Sequence, residues 1–167
     1  RAAAMLVETG ASGVVLTSRS GRVAREDDAL DAGVSASARA TASDVGDAAD
    51  AVALLGCSAF VGALHAAGVL RDQMLRGMAA DAVSSSFAPK ALAASHIHAA
   101  RARTGLEALG FFSSVASTFG NVGQANYAAA NATLDALALS RRLRGVLGSS
   151  LQIPAVSGAG MGAATFD

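Results

Sequence analysis

The sequence predicts an α/β domain built on a doubly wound parallel sheet, and three observations carry that prediction. Short apolar runs bounded by Gly and Ser recur at Val14–Ser18, Phe60–Leu64, Leu106–Ser113 and Ser149–Ile153. Segments of helical pattern separate them, so strand and helix alternate as in βαβ units. Val14–Ser18 is apolar and β-branched, the pattern of a buried parallel strand.

Taken in order, residues 1–8 read as the end of a helix, and Thr9 to Gly13 as the turn after it. Val14–Ser18 is the first strand, rich in β-branched residues. Residues 24–32, Ala-rich and acidic, predict a short helix. Ser35 to Val45 alternates weakly and reads as a second strand ending at Asp44, with a helix over Asp47–Leu55 to follow. Phe60–Leu64 is the third strand and runs into His65-Ala-Ala-Gly-Val-Leu70. A helical segment covers about 78–101, where Pro89 kinks or restarts it. Leu106–Ser113 is the fourth strand, Gln124–Arg144 a long helix, and Ser149–Ile153 the fifth strand.

Composition limits the function classes. The 167 residues suit one domain, and 52 % hydrophobic with 16 % charged residues argues against disorder. Thirteen basic residues balance thirteen acidic ones with no dense basic block, which disfavours nucleic acid and anionic membranes as partners. Cys57 stands alone, so no intrachain disulfide forms and a reducing compartment is expected. The uncharged runs Ala108–Leu134 and Gly145–Phe166 are broken by Asn, Gln, Ser, Gly or Pro, which a lipid-facing helix avoids. A cytoplasmic chain is the expectation. Lacking an initiator Met and opening within a helical pattern, it reads as a piece of something longer.

The candidate chemistry lies in Phe111 to Asn131. Ser114 closes a strand, where open α/β sheets place ligands. Tyr127 and Asn131 are four apart and share a helical face. A phenol, about 10 in unperturbed pKa, acts as a general acid only if a nearby cation pulls it toward neutrality. Lys90 is the one lysine beside twelve arginines; its spacing fits a tuned site and a surface helix start equally. Arg19, in Ser18-Arg-Ser-Gly21, follows a strand, where an Arg can accept the 2′-phosphate of NADP; an ordinary loop Arg reads the same. Asp44 and Val45 would meet an adenine, or cap the helix at 46–55. His96 and His98 are two apart and face different ways, so no metal site is expected with Cys57. Ser113 and Ser114 lack a Gly-x-Ser-x-Gly elbow and a following acid–His pair, which disfavours a hydrolase.

From Val14 to about Ile153 the chain resembles the short-chain dehydrogenase/reductase superfamily, within it the ketoreductase domains of modular polyketide synthases and animal-type fatty acid synthases. The resemblance rests on Leu16-Thr-Ser-Arg-Ser-Gly21, Asp44-Val, His65-Ala-Ala-Gly-Val-Leu70, Ala88-Pro-Lys90, Phe112-Ser-Ser-Val and Gly123-Gln-Ala-Asn-Tyr-Ala-Ala-Ala-Asn-Ala132. Most of the superfamily places Lys four residues after the Tyr; these ketoreductases resemble this chain in placing Asn there and Lys in Ala-Pro-Lys. The resemblance implies a Rossmann-like sheet truncated at its N-terminal strand and Gly-rich turn, residues 1–167 forming one ketoreductase catalytic domain incomplete at both ends.

It also implies roles. Tyr127 would donate a proton to the β-keto oxygen as hydride arrives from NADPH, with Ser114 bonding the same carbonyl. Lys90 would lower the Tyr pKa and hold the nicotinamide ribose, and Asn131 would orient the helix and a relay water. Arg19 would take the 2′-phosphate, with Ser18, Asp44, Val45, Ala66, Ala67, Gly68, Lys90 and Tyr127 around the cofactor. Asp72, Phe119 and Gln124 would bear on substrate and stereochemistry. Phe119 stands eight residues before the Tyr, where the opposite type has Trp, so a D-configured β-hydroxyl is expected. The implied partners are an acyl carrier protein-tethered β-ketoacyl substrate and neighbouring synthase domains, with no nucleic acid and no membrane. Two alternatives stand beside it: a freestanding short-chain reductase, disfavoured by Asn131, and a non-catalytic piece that lacks the phosphate-binding turn.

Overall fold

The computed structural model describes residues 2–22, 38–56, 60–102 and 106–154. They fall into two compact units, Arg1–Asp44 and Val45–Asp167. The helix expected at 24–32 lies outside the described residues.

In the first unit, α1 (Ala2–Glu8) ends where Gly10 takes a φ of 105°, a left-handed value open to glycine. The Thr9 hydroxyl donates to the Met5 carbonyl and closes that turn. Strand β1 (Val14–Ser18) has the predicted bounds and pairs in parallel with β2 (Ala38–Ala42), from Val14 opposite Ala38 to Ser18 opposite Ala42. The β2 strand stops two residues short of the predicted Asp44. Past Ala42 the Ser43 N–H still donates to the Ser18 carbonyl.

The second unit opens with α2 (Ala48–Gly56). Asp47, not Asp44, caps it: its carboxylate accepts the N–H groups of Ala49 and Asp50. Strand β3 (Gly62–His65) starts later than predicted, because the ladder with β4 (Ala108–Ser114) begins at Gly62 opposite Ala108 and carries on to His65 opposite Phe111. A 3-10 turn at Leu75–Gly77 leads to α3 (Ala80–Phe87), a π-helical turn (Ala88–Leu92) and α4 (Ala93–Ala100). Pro89 thus sits in a π turn between two α-helical stretches. Proline lacks an N–H and crowds the carbonyl four residues back, and widening the turn by one residue relieves both problems.

Beyond β4 comes a single turn, α5 (Ala116–Phe119), which the sequence does not predict. One turn is too short to show periodicity, and Gly120 ends it with a φ of 71°. The long helix α6 (Ala125–Leu143) and strand β5 (Ser149–Ile153) complete the unit, whose parallel sheet runs β3–β4–β5. Alternate residues of β4 (Leu109, Phe111 and Ser113) turn to a buried face. There Leu109 and Phe111 join Leu55 of α2, Ala94 and Ile97 of α4, and Leu134 and Ala138 of α6 in one core. The small alanines let these helices approach closely, and burying Phe111 or Leu134 contributes roughly 1.5–3 kcal/mol each. Gly110, Phe112 and Ser114, on the other face, are half-buried. No helix among the described residues is long and apolar enough to cross a membrane.

Candidate active site

The strand ends of the second unit hold the candidate residues. Ser114 is the last residue of β4, and His65, followed by Ala66, Ala67 and Gly68, the last of β3. Tyr127 and Asn131 lie on the first turns of α6, and Lys90 in the π turn.

Lys90 is 2 % exposed. Its Nζ donates to the Phe112 carbonyl at 3.0 Å and stands 5.4 Å from the centre of the Tyr127 ring. Burial lowers its pKa to about 8, while the Asp135 carboxylate works the other way. Asn131 is wholly buried and donates from Nδ2 to the Tyr127 carbonyl at 2.8 Å. Its Oδ1 is buried without a hydrogen-bond partner among the described residues, an acceptor beside the phenol-bearing turn. Ser113 Oγ donates to the Asn131 carbonyl at 3.3 Å, tying the end of β4 to α6. Ser114 Oγ accepts the Ala116 N–H at 3.2 Å, and no hydrogen bond joins it to Tyr127 among the described residues. Cation, phenol and amide are thus together.

The residues implied for substrate selection divide. Asp72 and Gln124 meet, with Gln124 Nε2 donating to Asp72 Oδ2 at 2.9 Å. Phe119 is 83 % exposed. In the first unit, Ser18 Oγ donates to the Arg22 carbonyl, and Arg19 and Asp44 are exposed. In the second, the Val45 carbonyl faces His96 Nδ1 at 3.3 Å.

Known proteins narrow this geometry. A solved A-type ketoreductase from a modular polyketide synthase is 36 % identical with a TM-score of 0.84, over 91 % of this chain and 34 % of its own. The ketoreductase from the first module of phoslactomycin biosynthesis in Streptomyces sp. HK803 is 33 % identical with a TM-score of 0.85, over 96 % of this chain and 39 % of its own. The family model described as KR domain matches residues 1–158. The chain belongs to the KR domain family. Polyketide synthase GfsB of Streptomyces halstedii is 40 % identical over 154 residues, 88 % of this chain and 3 % of that protein. GfsA of the same organism is 47 % identical over 120 residues, 70 % of this chain and 2 % of that protein. This KR domain chain therefore spans a small part of these curated relatives and little more than a third of the solved chains. Its helices and parallel sheets match the Rossmann-like fold of those structures.

Three residues near Lys90 and Tyr127 were given no role by the sequence. His65, 4 % exposed, lies edge-on to Phe111, and burial followed by the Lys90 charge lowers its pKa from 6.5 to about 4. Asp135 accepts Ser117 Oγ at 2.6 Å and Gln152 Nε2 at 2.9 Å, and also bonds Ser150 Oγ. Burial pushes its carboxyl up, but these donors and Ser113 together hold it below its ordinary value. Its signal was present: Tyr127, Asn131 and Asp135 recur every four residues on one helix face. Asn126 is the third, a buried amide beside the phenol-bearing residue in an Ala-rich turn.

Proposed function

We propose that this chain is the catalytic domain, residues 1–167, of an NADPH-dependent β-ketoacyl reductase of polyketide biosynthesis. Its substrate is a β-ketoacyl thioester on an acyl carrier protein, and its product the β-hydroxyacyl thioester. One observation carries the reading: the sole lysine of the sequence, buried, stands 5.4 Å from the ring of the sole tyrosine. A cation that close to a phenol serves proton transfer, and packing alone gives no reason to bury a charge there.

The residues suit the cofactor. In the second unit a buried cation beside a phenol fits the ribose end and the Asn131 Oδ1 offers an acceptor, while Arg19 is assigned to a 2′-phosphate by the family resemblance alone. Ser18, Asp44, Val45, Ala66, Ala67 and Gly68 complete the proposed set. Bound NADPH supplies the hydride that adds to the β-carbon.

The chain's own groups handle the oxygen. Tyr127 donates its proton to the carbonyl oxygen as negative charge develops there, and Lys90 steadies the phenolate left behind. Ser114 Oγ, whose lone pair takes the Ala116 N–H, keeps its hydrogen to donate to the same oxygen. Asn131 holds the Tyr127 turn through its Nδ2 and leaves Oδ1 for a relay water. The polyketide synthase relatives support neighbouring synthase domains as partners.

Tyr127→Phe tests the reading. Reduction of a model β-ketothioester falls by roughly 10²–10⁴-fold while NADPH affinity, read by fluorescence, stays within about two-fold. Turnover at the wild-type rate overturns it. Chiral analysis of the wild-type product, with Asp72 and Phe119 in place, is expected to give the D-hydroxyl, and a predominantly L product removes that stereochemical assignment.

A further inference from the structure

Tyr127 sits at the third position of α6, where a backbone N–H has no partner inside its own helix. A side chain at the residue before the helix usually accepts such a group, but Gln124 makes no capping bond here. Asn126 accepts it instead, with Oδ1 at 2.8 Å from the Tyr127 nitrogen. The other end of the same amide reaches three acceptors: the Arg71 carbonyl at 2.9 Å, the Ala82 carbonyl at 3.1 Å and Ser86 Oγ at 3.1 Å. Asn126 is 2 % exposed and Ser86 wholly buried. Ser86 lies on α3 one turn before Lys90.

One amide thus holds the backbone of the phenol-bearing residue and the helical turn that leads to the lysine. It also belongs to a lacing. The Gln73 N–H bonds the Gly123 carbonyl, Gln124 bonds the Asp72 carboxylate, and Asn126 bonds the Arg71 carbonyl, so three consecutive loop residues grip the chain as it enters α6. Gly123 turns the chain into that lacing with a φ of 73°. The distance between Lys90 and Tyr127 therefore depends on a contact between α3 and α6 that neither residue makes itself.

We infer that Asn126, through Ser86, is a positioning residue for the Tyr127–Lys90 pair. The inference rests on the reductase reading above. Kinetics of the intact chain are measured for Ser86→Ala and Asn126→Ala beside Tyr127→Phe. Ser86→Ala removes one hydroxyl from a helix that tolerates alanine and keeps the test open where Asn126→Ala fails to fold. Both lower kcat, by roughly 10–100-fold for Asn126→Ala and several-fold for Ser86→Ala, with KM for the β-ketothioester within about two-fold.

A pH profile separates positioning from bulk stability. The groups facing Lys90 are Tyr127 and Asp135 on α6 and His65 at the end of β3. A loosened clamp admits water to Lys90, so the alkaline limb of kcat moves upward from about 8 in both variants. Wild-type kcat in both, or a lower melting temperature with an unmoved limb, overturns the inference while Tyr127→Phe stays inactive. An active Tyr127→Phe overturns the reductase reading beneath it.

Discussion

Lys90 shows what burial does to one side chain. In water a lysine head is strongly hydrated; here Nζ keeps one carbonyl, that of Phe112, and the face of the Tyr127 ring. Losing water favours the neutral amine, and burial lowers the pKa from 10.5 to about 8. At pH 7 the group lies below that value and stays mostly charged. If the charge serves proton transfer, kcat falls as pH rises through about 8. Lys90→Arg lowers kcat, because a planar guanidinium does not replace a point contact, but it also abolishes that limb, since arginine stays charged. A pH–rate profile of both proteins checks this, and an identical limb in the arginine variant counts against it. Asn126 is a different case at the same scale. A polar residue at a helix start is ordinary, and its three distant acceptors are invisible until α3 and the 71–73 loop are in place.

Among the elements, α6 carries the most. Tyr127, Asn131 and Asp135 lie along one face, and each meets a different neighbour. Tyr127 faces the π turn, the Asn131 carbonyl accepts from β4, and Asp135 joins α5 and β5 through Ser117, Ser150 and Gln152. Asp135→Asn presents an N–H₂ group to donors that need an acceptor, which costs about 1–3 kcal/mol. It also removes the charge that raises the Lys90 pKa, so the alkaline limb of kcat moves downward. The urea midpoint and the pH–rate profile read the two effects separately, and an unchanged midpoint with an unmoved limb defeats both expectations. The π turn belongs to this scale as well. Pro89 announces an interruption in any helical pattern, but whether the chain bends, breaks or widens depends on what α4 and α6 hold on either side.

For the whole molecule, the buried titratable groups set how stability changes with pH. His65 has a folded pKa of about 4 against 6.5 unfolded, so the unfolded chain binds more protons between those values. Stability from this group is complete above pH 6.5 and is lost as pH falls toward 4, on the order of 3 kcal/mol for the 6.5-to-4 difference. Asp135, held below its ordinary value, adds a loss of the same sign at lower pH. Burial and the charges of Arg141 and Arg144 lower His98 as well, again with the same sign. His65→Phe keeps the ring against Phe111 and removes the proton site, so urea midpoints at pH 7 and pH 4.5 differ less than in the wild type. A difference as large as the wild type's rules out His65 as the source.

The sequence by itself determined the class of fold and the bounds of several elements. Val14–Ser18 and Ser149–Ile153 form the predicted strands, and α6 fills Gln124–Arg144 to within a residue at each end. These follow from local rules, because apolar runs, Gly punctuation and helical spacing act over a few neighbours. The four-residue step from Tyr127 to Asn131 is local too, and structure places both where it said. Lys90 stands 37 residues before Tyr127, a separation that spacing cannot bridge, and only the family resemblance paired them at the outset. Tertiary structure decided that Pro89 sits in a π turn, that Asp47 caps α2, and that Asp135 and Asn126 bind several elements at once. Which donor meets which acceptor across distant segments depends on how helices pack on the sheet, and no short stretch of chain encodes that.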